Sequence, residues 1–192
     1  MARFFTADLH LGHANIIGYS GRPFADVDEM NRALVDNWNA VVGPDDEVWV
    51  LGDVAMGRID DALPLVGRLA GHKVLVPGNH DRCWSGHGVK AERWGPIYRE
   101  AGFAEILDGT VTTRVGDRDV LCCHFPYVGD SHDLDRFDAA RPLDTGMVLL
   151  HGHVHEKWRA NGRQVNVGVD VWDQRPVSEA VLLPIVMEAA AR

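Results

Sequence analysis

At 192 residues, 46% of them hydrophobic and 24% charged, the chain can bury a sizeable core without disulfides, and its 9 Pro and 20 Gly exclude a disordered, fibrous or coiled-coil protein. Nineteen Lys and Arg against 28 Asp and Glu leave a formal charge of -9 with no basic cluster, which disfavours long nucleic acids as partners. The longest uncharged apolar stretch, residues 180–187, is far short of the roughly 20 residues that span a bilayer, and Asp8 interrupts the start before an export-signal core forms; the expected location is the cytoplasm, away from membranes.

Taken in chain order, short apolar runs alternate with amphipathic ones. Residues 3–7 read as a buried strand ending at Asp8-Leu9-His10. Met30, Ala33, Leu34, Trp38 and Val41 then recur at helical spacing, with Asp28 as the expected N-cap and Gly43-Pro44 as the stop. Residues 47–51 form a second strand ending at Gly52-Asp53. Residues 60–70 form a helix in which Asp61 caps and Pro64 falls in the first turn, and residues 73–76 form a third strand ending at Gly78-Asn79-His80-Asp81. Strand, helix, strand, helix, strand implies parallel pairing with right-handed crossovers.

From residue 104 the strands crowd together: 104–107, 110–115, 118–123, 147–150 and 164–169, with turns at Asp108-Gly109 and Gly116-Asp117. These predict a second sheet, mixed or antiparallel. Residues 129–146 are rich in Asp without a period and read as a solvated lid. The tail from Ser178 is helical in composition, with Pro184 expected to kink or split it. No repeat or linker interrupts residues 1–192, so one domain of two packed sheets with helices outside is expected.

The chemistry collects at strand ends. Asp8, His10, Asp53, Asn79, His124, His153 and His155 all follow an apolar run, where open α/β sheets gather their ligands. A side-chain period of two places Asp8 beside His10, and His153 beside His155. Seven N and O donors exceed what one cation takes and suit two divalent ions sharing the Asp53 carboxylate. Imidazole and carboxylate without thiolate favour Mn, Fe, Zn, Ni or Co, with no choice among them. Such a pair lowers the pKa of water and clamps phosphoryl oxygens, so hydrolysis of a small phosphate ester is the expected reaction. His80, next to Asp81, is the expected general acid for the leaving alkoxide.

The ordered set Asp8-x-His10, Gly52-Asp53, Gly78-Asn79-His80-Asp81, His124 and Gly152-His153-x-His155 resembles the calcineurin-like metallophosphoesterase superfamily over almost the whole chain. Asp8-Leu9-His10-Leu11-Gly12-His13-Ala14-Asn15, Arg22-Pro23-Phe24 and Asn166-Val167-Gly168-Val169-Asp170 look like its small single-domain prokaryotic and phage members. The resemblance implies a four-layer α/β/β/α sandwich of two packed mixed sheets, with Asp8, His10, Asp53 and His155 on one metal and Asp53, Asn79, His124 and His153 on the other. His80 would be the family's catalytic histidine. Ala55-Met56-Gly57 after Asp53 and Pro77 before Gly78 depart from the Ser/Thr protein phosphatases, which carry arginines there, and no tyrosine beside Asp53 specifies ferric iron.

Three further residues are candidate substrate contacts, each beside a plainer role. His13 faces the site or caps the next helix, whereas Arg22 and Arg82 either clamp phosphate or serve as structural or surface charges. Cys122 and Cys123 read as small buried hydrophobes. Two rival functions stay open at this level: a nuclease acting on nucleic acid strands, and a metal-bound interaction scaffold without catalysis.

Overall fold

The computed structural model describes residues 1–191. Among them, ten strands make two five-stranded mixed sheets. In the first, β1 (Arg3–Thr6), β2 (Glu47–Val50), β3 (His72–Leu75) and β4 (Phe103–Ile106) run parallel, and β10 (Val177–Ser178) closes the β1 edge antiparallel. The second has the order β5-β6-β7-β9-β8, from β5 (Val111–Val115), β6 (Arg118–Cys122), β7 (Val148–His151), β8 (Ala160–Asn161) and β9 (Gln164–Asn166). Its β6, β7 and β9 are parallel and its two outer pairs antiparallel.

Alternation along β1 shows how the sequence divides the core. Phe4 joins the outer cluster, where the helix Val27–Asn39 contributes Met30, Leu34 and Trp38, and the helix Trp94–Ala101 contributes Trp94 and Tyr98. Phe5 and Ala7 point the other way, into a cluster shared with Val120, Cys122, Val148, Leu150 and Val165 of the second sheet. The two sheets therefore bury their facing sides against one another, as expected. The terminal helix (Glu179–Ala190) adds Leu182, Val186 and Ala189 to that shared cluster. The outer side of the second sheet, Leu149 and Cys123, is covered by Trp84, Tyr127, Phe137 and Ala140, which come from loops and a 3₁₀ turn rather than from a helical layer.

Four expectations are corrected. β4 pairs with β3, so it extends the first sheet instead of opening the second. The cap of Val27–Asn39 is Asp26, whose carboxylate accepts from the Glu29 N–H at 2.8 Å while the Glu29 carboxylate accepts from the Ala25 N–H, a reciprocal arrangement that Asp28, already in the first turn, cannot make. Residues 60–70 split into a helix Ile59–Ala62 and a 3₁₀ helix Leu63–Arg68 that begins at Pro64's turn. The terminal helix runs unbroken through Pro184. The carbonyl deprived of its partner belongs to exposed Ala180, where water can satisfy it.

Candidate metal centre

β1, β2, β3, β6 and β7 stop at Thr6, Val50, Leu75, Cys122 and His151, and the site is built from the residues that follow them. The pairing of Asp8 with His10 does not come from strand pleating. Asp8, His10, Asp53, His153 and His155 all sit in left-handed backbone, with φ of 56°, 51°, 56°, 71° and 51°. They are five of the eight non-glycine residues with positive φ among those described. Each costs of order 1 kcal/mol or more, a cost that survives where surrounding structure imposes it. Here the Asp8 and His10 N–H groups donate to the Gly52 and Asp53 carbonyls at 3.0 and 2.9 Å, carrying the β1/β2 ladder on as an irregular turn.

The side chains converge closely. His10 Nε2 lies 3.2 Å from His155 Nε2 and 3.6 Å from Asp53 Oδ2, and His124 Nε2 lies 3.5 Å from the same Asp53 oxygen. His124 Nε2 is also 3.1 Å from Asn79 Oδ1, and His155 Nε2 is 3.9 Å from Asp8 Oδ1. Asp8, His10 and His155 form one cluster able to hold a metal ion, and Asp8, Asp53 and His124 form another. His80 stands at the rim, its Nε2 4.0 Å from Asp53 Oδ2 and its N–H donating to Asp53 Oδ1 at 2.9 Å.

The donor chemistry fits a cation. His124 Nδ1 donates to the Leu51 carbonyl at 2.9 Å, which fixes its proton there and leaves Nε2 a bare lone pair facing the oxygens of Asn79 and Asp53. The lone pairs of His124 Nε2 and Asn79 Oδ1, held 3.1 Å apart, are what a positive ion would reconcile. Glycine lets the loops close to this spacing: a Cβ on Gly52, φ +87°, would lie 2.5 Å from Gly78 N and His124 Nδ1, and one on Gly78 would lie 2.4 Å from Asp53 Oδ1.

Burial dominates the electrostatics. It raises the Asp8 and Asp53 carboxyls, each made worse by a neighbouring carboxylate, Asp53 acting on Asp8 and Asp81 on Asp53. It holds His10 well below the usual imidazole range and brings His155 and His80 to about 4, with neighbouring imidazoles adding to the effect on His10 and His80. Every one of these shifts opposes charge on the bare side chains, and a bound cation would reverse the sign for the carboxylates.

The other expected residues are distributed unevenly. His13 lies against the site, its ring 5.4 Å from that of His10, and makes no side-chain cap on the helix Ala14–Tyr19 that it precedes. Asp81 does not partner His80. Its buried carboxylate accepts from the N–H groups of Asp53, Val54 and Gly78 at 2.8, 3.0 and 2.9 Å and from the Tyr98 hydroxyl at 3.3 Å, stapling the β2 and β3 loops together. Arg22 is engaged elsewhere than on a phosphate. Fully buried, it pairs with Asp170 at 2.7 Å and donates to the Leu9 and Asp8 carbonyls at 2.9 and 2.6 Å. Arg82 stacks on Trp94 with its guanidinium carbon 4.5 Å from a ring centroid. Cys122 and Cys123 are buried, and burial pushes both thiols up, away from nucleophilic use.

Sequence reasoning passed over two anchoring residues. Asp170 carried a signal, the Asn166-Val167-Gly168-Val169-Asp170 run, but its partner Arg22 lies 148 positions away. Asp130 carried none beyond the acidity of its loop, yet its carboxylate lies 2.9 Å from His153 Nε2.

Fold and site together define a class of molecule: an α/β protein of two mixed sheets with buried Asp and His clusters able to hold metal ions at one set of strand ends. The chain belongs to the family of the Gene 66 protein of Mycobacterium phage D29, to which it is 38% identical over 197 residues, covering 92% of each chain. Uncharacterized protein MJ1445 of Methanocaldococcus jannaschii is 43% identical over 192 residues, covering 95% of this chain and 90% of its own. The crystal structure of AQ665 from Aquifex aeolicus, a protein of unknown function, shares the fold with a TM-score of 0.72 at 24% identity, over 96% of this chain and 98% of that one. No family model matches. No helix among the described residues is long and apolar enough to cross a membrane.

Proposed function

We propose that the chain is a metal-dependent phosphoric ester hydrolase acting on small phosphomonoesters or phosphodiesters, nucleotide-derived ones included. The observation that carries this reading is the position of Asp53 Oδ2, 3.6 Å from His10 Nε2 on one side and 3.5 Å from His124 Nε2 on the other. These distances support a reading in which Asp53 is shared between two divalent ions, with Asp8, His10 and His155 proposed to complete one site and Asn79, His124 and His153 the other. When bound, such ions polarise phosphoryl oxygens and lower the pKa of water.

The chain's own groups supply the rest. Asp8 and Asp53 bring two negative charges, so a loaded site keeps a net positive field and draws an anionic ester into an otherwise acidic protein. His80, with a side chain 38% exposed, is the imidazole of this set most open to a bound substrate. Its pKa of about 4 belongs to the protein without an anion; a phosphate dianion within about 4–6 Å favours the imidazolium, which then gives its Nε2 proton to the departing alkoxide. His13, its ring 5.4 Å from that of His10, is the proposed second contact for the same anion.

The test is an assay of protein reconstituted with Mn, Zn, Ni, Co or Fe(II) on an aryl phosphate monoester, an aryl diester and a 2',3'-cyclic nucleotide. Turnover of at least one is expected, together with a loss of about 10²–10⁴-fold in His80→Asn at unchanged metal content. Full metal loading with no turnover of any ester would leave the scaffold reading, and an H80N variant as fast as wild type would remove His80 from the reaction.

A further inference from the structure

The acidic loop between residues 129 and 146 is organised around one buried carboxylate. Asp130 Oδ1 accepts from Arg136 Nε and Nη2 at 3.1 and 2.7 Å, from the His132 N–H at 3.0 Å and from the Ser131 hydroxyl at 3.4 Å. Its Oδ2 accepts from the Arg136 N–H at 3.0 Å and from Arg141 Nη2 at 3.4 Å, and lies 2.9 Å from His153 Nε2. Arg141 fastens the hub to the framework by donating to the Pro126 and Gly129 carbonyls at 3.1 and 2.9 Å. Two guanidinium groups on one buried carboxylate keep it ionised, and an ionised carboxylate only accepts. The proton between Asp130 and His153 therefore sits on His153 Nε2, and Nδ1 is left with the lone pair.

The ring is also held in place. Phe125 and Phe137 lie 5.2 and 5.6 Å from it, both edge-on, and the His153 N–H donates to both Asp8 carboxylate oxygens at 3.1 and 3.0 Å. We infer that Asp130 is a positioning residue for the second cation: it fixes the tautomer and plane of His153 so that Nδ1 is the nitrogen offered to the metal, with Arg136 and Arg141 holding Asp130 in turn. The inference rests on the metal-centre reading above and extends it from the strand ends into a loop that contributes no ligand. Removing such a partner of a metal-bound histidine weakens metal binding by about 10–100-fold.

The test combines metal titration with the tautomer of His153. Wild-type protein is titrated with Mn(II) beside Asp130→Asn, which preserves shape and removes the charge, and Asp130→Glu, which restores the acceptor. Two ions per wild-type chain are expected. D130N should keep the first with unchanged affinity and bind the second about 10–100-fold more weakly, and D130E should recover part of the loss. Long-range ¹H–¹⁵N NMR of metal-free wild-type protein should show His153 protonated at Nε2, a measurement that stands even where D130N fails to fold. D130N binding both ions like wild type, or a His153 proton found on Nδ1, overturns the inference and leaves the metal centre standing. Wild-type protein that takes up no manganese overturns both.

Discussion

Arg22 separates what residue identity reveals from what it conceals. Its charge and place in a loop after the first ligand pair suit a phosphate clamp, and only the fold shows both Arg22 and Asp170 with side chains at most 1% exposed and paired at 2.7 Å. The two roles predict different losses. As a clamp, Arg22→Ala would raise KM and leave stability alone; as a buried partner it strands the Asp170 charge, and removing one member of a buried pair costs about 3–5 kcal/mol. Urea unfolding of the metal-free variant should show the second outcome, and Arg22→Lys should recover little of it, because a lysine cannot reproduce a guanidinium shared between a carboxylate and the Asp8 and Leu9 carbonyls. Gly52 supplies a second case. An alanine there meets Gly78 N and His124 Nδ1 at 2.5 Å in left-handed backbone, so Gly52→Ala should destabilise by about 3 kcal/mol and displace His124, read as a lower urea midpoint and weaker metal binding. The candidate ligands were legible because Asp, Asn and His behind short apolar runs are a local pattern. Asp130, Asp170 and the inward turn of Asp81 were not, because each is defined by a partner that only the fold brings near.

Among the elements, the expected strands and the crossover helix were legible wherever periodicity was strong, as in Val27–Asn39, whose buried Met30, Leu34, Val35 and Trp38 fall on one face. The sequence does not specify which sheet a short strand joins. Phe103–Ile106 alternates like its neighbours, but the helix Trp94–Ala101 before it packs on the first sheet and delivers it to the β3 edge. The terminal helix shows how an element is tied to both sheets. Glu179, its first residue, accepts from Arg3 Nε of β1 at 2.9 Å and from the Gly116 N–H of the β5–β6 turn at 2.6 Å. Partial burial pushes its carboxyl up, and the bonds from Arg3 and Gly116 more than offset that, so its pKa falls below the ordinary 4.5. In the window between the depressed folded value and 4.5 the unfolded chain binds more protons, so this contribution is complete above 4.5 and lost as pH falls through the folded value. Glu179→Gln should therefore cost roughly 0.5–1 kcal/mol at pH 7 in denaturant unfolding, and the gap from wild type should close on acidification. A gap independent of pH would assign the effect to packing.

At the scale of the whole molecule, the candidate ligands divide between the sheets. Asp8, His10, Asp53 and Asn79 follow strands of the first, and His124, His153 and His155 follow strands of the second. Across that seam Asp8 and His155 lie 3.9 Å apart and Asp53 and His124 3.5 Å apart, with burial disfavouring charge on both carboxylates. Cations bound there would bridge the sheets and remove that penalty together, so metal should act as a cross-link on the fold as well as a reagent. A ligand at 100 times its Kd stabilises the native state by about 2.7 kcal/mol, which for a chain of this length raises the melting temperature by roughly 5–10 °C. Differential scanning calorimetry with and without Mn(II), followed by chelation, should show a rise of this size that reverses. Asp53→Asn removes the carboxylate proposed to be shared, so it should abolish most of the rise while leaving the metal-free midpoint at or above that of wild type, because a neutral amide relieves the crowding of Asp53 against Asp81. A variant that lost stability without metal yet kept the full metal-induced rise would place the cations away from Asp53, and with them the seam would lose its proposed link.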